Sequence, residues 1–207
     1  MSAMDIYYDF DFINEDMIQD VDLGGLIIKK EDIETVFNVV NDVITWATDS
    51  IYKKCFKRVY IILSDCPGTP NLFVDFEPTM DQLHVYLNIF SIIYDYYYIP
   101  EFRKAIFGEK WEEISLHEFS QFYFLHELGH IVHGQLGSPS ERTVVNKFDN
   151  IILKHRKFYV NLDKKFKIDD SYFSNDGVVY KYEKAYRQIP SEKFADNFAF
   201  KYLNKLN

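Results

Sequence analysis

The chain has 207 residues, of which 47% are hydrophobic and 27% charged, the composition of one ordinary globular domain and not of a disordered chain. Its 23 Lys and Arg stand against 32 Asp and Glu, a formal net charge of -9. That balance argues against direct nucleic-acid binding, which needs clustered positive charge to hold phosphates. Cys55 and Cys66 are too few for a disulfide framework and lack CxxC spacing, so they read as reduced thiols. No run approaches the roughly 18 apolar residues of a membrane helix. The acidic N-terminus lacks a signal peptide's basic and apolar regions, so the expected compartment is the cytoplasm.

Residues 1–22 hold seven acids and no Lys or Arg, and read as an acidic N-terminal arm. Ile6, Tyr7, Phe10, Phe12 and Ile13 suggest that the arm still packs on something. A single domain is expected over 23–207. In it, Ile33, Val36, Phe37, Val40, Val43, Ile44 and Ala47 recur at three and four, which predicts a helix over 31–55. RVYIILS at 58–64 predicts a strand stopped by the turn-rich DCPGTPN. Further strands are expected at 72–76 and 83–90. In the second, Leu83, Val85, Leu87 and Ile89 alternate with His84, Tyr86 and Asn88, which suits a half-buried or edge strand. Residues 91–108 are aromatic-rich and ambiguous, broken by Pro100. Helices are expected over 115–134 and 190–206, the second with Pro190 in its first turn and Ser191 as a cap. The fold class is α+β, a small sheet packed on helices.

Chemistry is concentrated at 126–130, HELGH. On a helix, positions i and i+4 share a face, so His126 and His130 can both ligate one Zn²⁺. Glu127 is one step round the helix, where it can act on a water as general base without ligating the metal. Phe122, Phe124, Leu125, Leu128, Ile131 and Val132 supply the apolar faces of a buried helix, which strengthens the motif. A catalytic zinc wants a third protein ligand and an open position. Glu192 is the strongest candidate, in an apolar helix and four residues before Asp196. Asp196 could then accept the outer N–H of a ligating histidine. The plain alternative is an acidic pair on a solvated face.

His133 is the rival ligand. The longer zinc motif HExxHxxGxxH would need Gly at 133 and His at 136, where His133 and Leu136 stand. On one helix His126 and His133 lie about 10 Å apart along the axis, too far for a shared tetrahedral ion. His133 is therefore expected near the helix end, capped by Gly134, as a packing or substrate-side residue. His84, His117 and His155 have no paired spacing and read as structural.

HELGHIVHG followed by SEKFADNFA resembles the ImmA/IrrE-type metallopeptidases, within the wider HExxH…Glu (gluzincin) class. The resemblance implies a compact zincin-like domain: a small twisted sheet, an HExxH helix and a following helix carrying Glu. It implies His126, His130 and Glu192 as zinc ligands, Glu127 as catalytic base and Asp196 as support for a ligand. It also implies zinc-dependent hydrolysis of a peptide bond in a protein substrate, such as a phage or mobile-element repressor. The gap of 62 residues between His130 and Glu192 is longer than the family's compact connector, so an insertion is expected around 139–189. Oxyanion or substrate contacts are open among His133, Tyr180, Tyr182 and Tyr186. The competing reading is a zincin-fold regulatory module that binds protein, with structural zinc and little or no peptidase activity.

Within the insertion, Arg142 to Lys167 carries eight Lys or Arg and two acids, Asp149 and Asp163. That local reversal of charge reads either as a solvated basic helix or as a dock for an acidic partner or for the acidic arm.

Overall fold

Four strands make the central sheet of the computed structural model, which describes residues 4–14, 18–66, 72–166, 176–203 and 205–206. The elements run β1 (Met4–Asp9), β2 (Val21–Asp22), β3 (Ile27–Ile28), α1 (Lys30–Asp49), β4 (Val59–Ser64), β5 (Leu72–Glu77), β6 (Gln82–Asn88), α2 (Ile89–Tyr98) and α3 (Pro100–Phe107). They continue as α4 (Leu116–Gly137), α5 (Val144–Phe166), α6 (Asp176–Tyr186) and α7 (Pro190–Tyr202). The class is α+β, with a mixed sheet in the order β1-β4-β6-β5: β1, β4 and β6 are parallel and β5 is antiparallel to β6.

Alternation sets the buried face of the sheet. Val59, Ile61 and Leu63 of β4 pair in register with Leu83, Val85 and Leu87 of β6, and all six are buried. The alternation in β6 is real, but β6 is an interior strand, not an edge. The edges are β1 and β5.

The acidic arm is taken into this sheet. Met4–Asp9 pairs along its whole length with β4. The chain after β1 is pinned by Asp65, whose buried carboxylate accepts the backbone N–H groups of Asp11, Phe12 and Ile13 at 2.7, 2.8 and 2.6 Å. β1 lies at the edge opposite β5, so this stretch of the arm does not dock on the basic segment beside β5.

Residues 91–108 resolve into α2 and α3, parted at Pro100. α2 starts where the Asn88 side chain accepts the Ser91 N–H at 3.0 Å, and Pro100 opens α3 at its first position. α1 ends at Asp49 rather than 55.

α4 is the axis of the helical layer. Ser115 and Glu118 form a capping box at its start, with each backbone N–H bonded to the other's side chain. Phe119, Phe122, Phe124, Leu125, Leu128 and Ile131 bury it on every side. It packs chiefly against α7, then α5 and α1. It runs past Gly134, which is no cap: a Cβ there would sit 2.8 Å from Phe148 Cα of α5. The stretch 139–189 supplies α5 and α6, with 167–175 outside the described residues. α5 is anchored at its start by the Val145 N–H, which donates to Asp81 Oδ1 at 3.1 Å. Among the described residues no helix is long and apolar enough to cross a membrane. Neither cysteine is in a disulfide, and Cys66 Sγ donates to Asp11 Oδ2 at 3.3 Å.

Candidate metal centre

The site lies where α4 crosses α7, and a glycine sets how closely they meet. A Cβ on Gly129 would stand 2.9 Å from Ala195 Cα, closer than real Cβ atoms come. With no side chain there, His126 and His130 on one helix come within reach of Glu192 on the other. His126 Nε2 and His130 Nε2 are 3.1 Å apart, and Glu192 Oε2 is 3.2 Å from each. Tetrahedral N and O donors about 2.0–2.1 Å from a zinc ion would stand about 3.3 Å from one another. His126, Glu127 and His130 are together a group that could hold a metal ion.

The partners of these atoms explain why a cation fits. His126 Nδ1 lies 2.9 Å from Asp196 Oδ1, a contact that places its proton on Nδ1. In the neutral ring Nε2 then carries a lone pair, and it faces the lone pairs of a second imidazole and a carboxylate. Three acceptors this close repel unless a proton or a metal ion lies among them. The pKa of His126 shows the same pull. Burial opposes its charge, yet hydrogen bonds to Asp196 and Glu192 outweigh burial and push it up to about 9. Burial also opposes the charge of Glu192, but His130 and His126 hold its carboxyl well below the usual range.

Each carboxylate has its own support. Arg187 Nη1 donates to Asp196 Oδ1 at 2.7 Å, and its buried guanidinium lies over the Phe122 ring. Tyr159 of α5 donates its hydroxyl to Glu192 Oε1 and lies 2.8 Å from Ser191 Oγ. Glu192 thus has one oxygen held by a phenol and the other turned to the imidazoles. Ser191 is engaged here and is not the α7 cap, since Ile189 occupies that position with no side-chain bond. Glu127 lines the adjoining cleft. Burial pushes its carboxyl up, against the pull of His126 and His130.

The other sequence candidates separate. Tyr186 lines the cleft with Glu127 and His130, and its hydroxyl makes no hydrogen bond among the described residues. Tyr182 donates to Asp163 at 3.2 Å, and Tyr180 sits beside Lys184 away from the cleft. His133 stacks on Phe194, ring centroids 4.3 Å apart, and faces His155 instead of the donor atoms. Tyr159, Ser191 and Arg187 complete the site without a readable signal. Tyr159 stands 33 residues from Glu192, and Arg187 lies in the turn before α7, outside any helical face. Compared with protein-family models, curated proteins and solved structures, the chain matches none, and its functional reading rests on the arrangement of these side chains.

Proposed function

We propose that this chain is a zinc-dependent metallopeptidase with a zincin-like fold, of the ImmA/IrrE type, cleaving a peptide bond in a protein substrate within the cytoplasm. One observation carries the reading: three lone-pair atoms of His126, His130 and Glu192 lie 3.1–3.2 Å apart beside a cleft that Glu127 also lines. His126, His130 and Glu192 would hold the zinc beside the cleft. When bound, zinc would acidify a water and polarise the scissile carbonyl.

The rest of the chemistry belongs to the chain. Glu127 takes the proton of the attacking water and delivers it to the leaving amine, a task suited to a carboxylate whose pKa burial has raised. Tyr186 donates its hydroxyl to the oxyanion that forms on the carbonyl oxygen. Asp196 and Arg187 keep His126 in the tautomer that presents Nε2. The substrate backbone adds to β5, the edge strand at the cleft, since β6 is an interior strand. The repressor class named by the family resemblance is the first substrate to offer.

Glu127→Gln should bind zinc with little change and lose hydrolysis by about 10²–10⁴-fold. Metal content and cleavage of a repressor-derived substrate check it, with a chelator control. Turnover retained in the variant would remove the role of Glu127. A stable complex without chelator-sensitive cleavage in the wild type would favour a binding module instead.

A further inference from the structure

The sheet has a second face, turned away from the core. Pairing in register puts two rows across it: Asp5, Tyr60, His84 and Asp75, then Tyr7, Ile62, Tyr86 and Phe73. Their strand neighbours Ile61, Leu83 and Val85 are buried, but Tyr7 is 54% exposed, and Tyr60, His84, Tyr86 and Phe73 are partly exposed. The rings follow one another across all four strands. Centroids are 5.8 Å apart from Tyr7 to Tyr60, 5.9 Å from Tyr60 to His84, 6.3 Å from His84 to Tyr86 and 4.6 Å from Tyr86 to Phe73. The charge of this face has one sign. Asp5 and Asp9 stand at the β1 edge, Asp75 and Glu77 at the β5 edge, and the four strands hold no Lys or Arg. Burial, then the charges of Asp75 and Asp9, push the Tyr86 phenol up, so both edges are felt at the middle of the face. An aromatic floor between two acidic rims fits a partner that is apolar along its centre and basic toward both ends.

α5 carries such a surface. Leu153, Lys157, Val160 and Lys164 recur at i, i+4, i+7 and i+11, which puts them on one face, with Lys154 on its flank. All five are exposed, Leu153 at 54% and Val160 at 41%. None of the three lysines has an ion pair among the described residues. Asp163, the acid of this stretch, accepts from Tyr182 of α6. The lengths agree as well. Lys154 and Lys164 stand about 15 Å apart along the helix, and β1 and β5 lie three strand spacings, about 14 Å, apart across the sheet.

We infer that a second copy of this chain lays the outward face of its α5 across the acidic, aromatic face of the sheet. Leu153 and Val160 of the docked helix cover the rings, and Lys154 and Lys164 reach the carboxylates at the two edges. Lys157 lies between them, over the rings, where a cation is attracted by the aromatic faces. Burial of the apolar side chains supplies affinity, and the charges fix orientation. The contact joins two different surfaces, so it is head-to-tail, and each copy keeps one of each surface free to add another. Copies of net charge -9 repel at long range. At 0.1 M salt that repulsion is screened beyond about 10 Å, while charges in contact still attract.

Sedimentation of the full chain in 0.1 M NaCl tests this, over a range of micromolar concentrations. The average mass should rise above the 24.7 kDa of one chain and keep rising with concentration. Two variants change exposed positions only: D9N/D75N on the sheet and K154A/K157A/K164A on α5. Each alone should associate about 10-fold more weakly or worse, with a thermal melt like that of wild type. Mixed in equal amounts, one variant supplies an intact helix face and the other an intact sheet face. The mixture should therefore form a pair that stops at twice the mass of one chain. Wild type needs no variant for a further check, because raising salt to 0.5 M should weaken its association. A wild type that stays at one chain's mass at every concentration would overturn the inference. So would a mass that stops at two chains, association that either variant leaves unchanged, or a mixture that does not pair.

Discussion

Asp65 and Glu192 are both buried carboxylates, at 0% and 2% exposure, and the protein uses them in opposite ways. Asp65 accepts three backbone N–H groups that hold the chain after β1 against the sheet. Every contact there is donor to acceptor, and the charge is satisfied by the fold itself. Glu192 accepts from Tyr159 on one oxygen, but its other oxygen faces two imidazole nitrogens, one of which has already committed its ring proton to Asp196. Depth of burial does not tell a structural carboxylate from a candidate metal ligand. The balance of donors against acceptors around it does.

The comparison breaks most readily with metal. Zinc at 1,000 times its Kd should add about 4 kcal/mol to the unfolding free energy, and Glu192→Ala should lose most of that increment. Thermal melts with and without zinc check it. Asp65→Ala should cost about 3 kcal/mol, because three N–H groups lose their acceptor at once. Denaturant unfolding should show this loss at any zinc level with the zinc increment intact. If the increment vanished in Asp65→Ala as well, the two carboxylates would not be separable.

Smaller effects sharpen the contrast. Tyr159→Phe frees Glu192 Oε1 and should weaken metal affinity about 10-fold with the fold retained. Competition against a chelating dye measures it, and unchanged affinity would reduce Tyr159 to packing. His133 gives the smallest effect. Burial, with His130 and His155 adding to it, lowers its pKa to about 4. The unfolded chain binds that proton from about pH 6.5 downward, and the folded chain does not until about 4. The neutral ring's contribution is therefore present above 6.5 and lost as pH falls toward 4. Because His133 is half-buried, solvent screening leaves about 1 kcal/mol of it. Urea unfolding at pH 7.5 and pH 5 should show a smaller pH difference in His133→Phe than in wild type. The comparison cancels other titrating groups, including Glu183, which burial pushes up to about 6 with the opposite sign.

What could be read from the sequence was local. α4 announces itself through Ser115 and Glu118 at its start, apolar residues around it and two histidines one turn apart. Glu192 is visible because it and Asp196 share a face of an otherwise apolar helix. Tyr159 and Arg187 were not visible, since their roles exist only once α5 and α7 lie across α4. The rank of β6 was hidden for a related reason: alternation shows which side chains are buried but says nothing of how many neighbours a strand has. Residues 91–108 are apolar on too many sides to show a stripe. The acids of β1 suggested solvent, while Met4, buried at 4%, and six backbone pairings tie that strand to β4.

That pairing has a consequence for biosynthesis and for protein production. Met4 pairs with Val59, so β1 must wait for a partner 55 residues further along. At ordinary synthesis rates the wait is roughly 3–11 s. Removing residues up to Asp9 would bare one flank of β4, whose VYIILS carries no charge and strongly favours extended pairing. A shortened chain would aggregate before its candidate metal site could be assayed, and its inactivity would report on solubility alone. Affinity tags therefore belong at the other terminus.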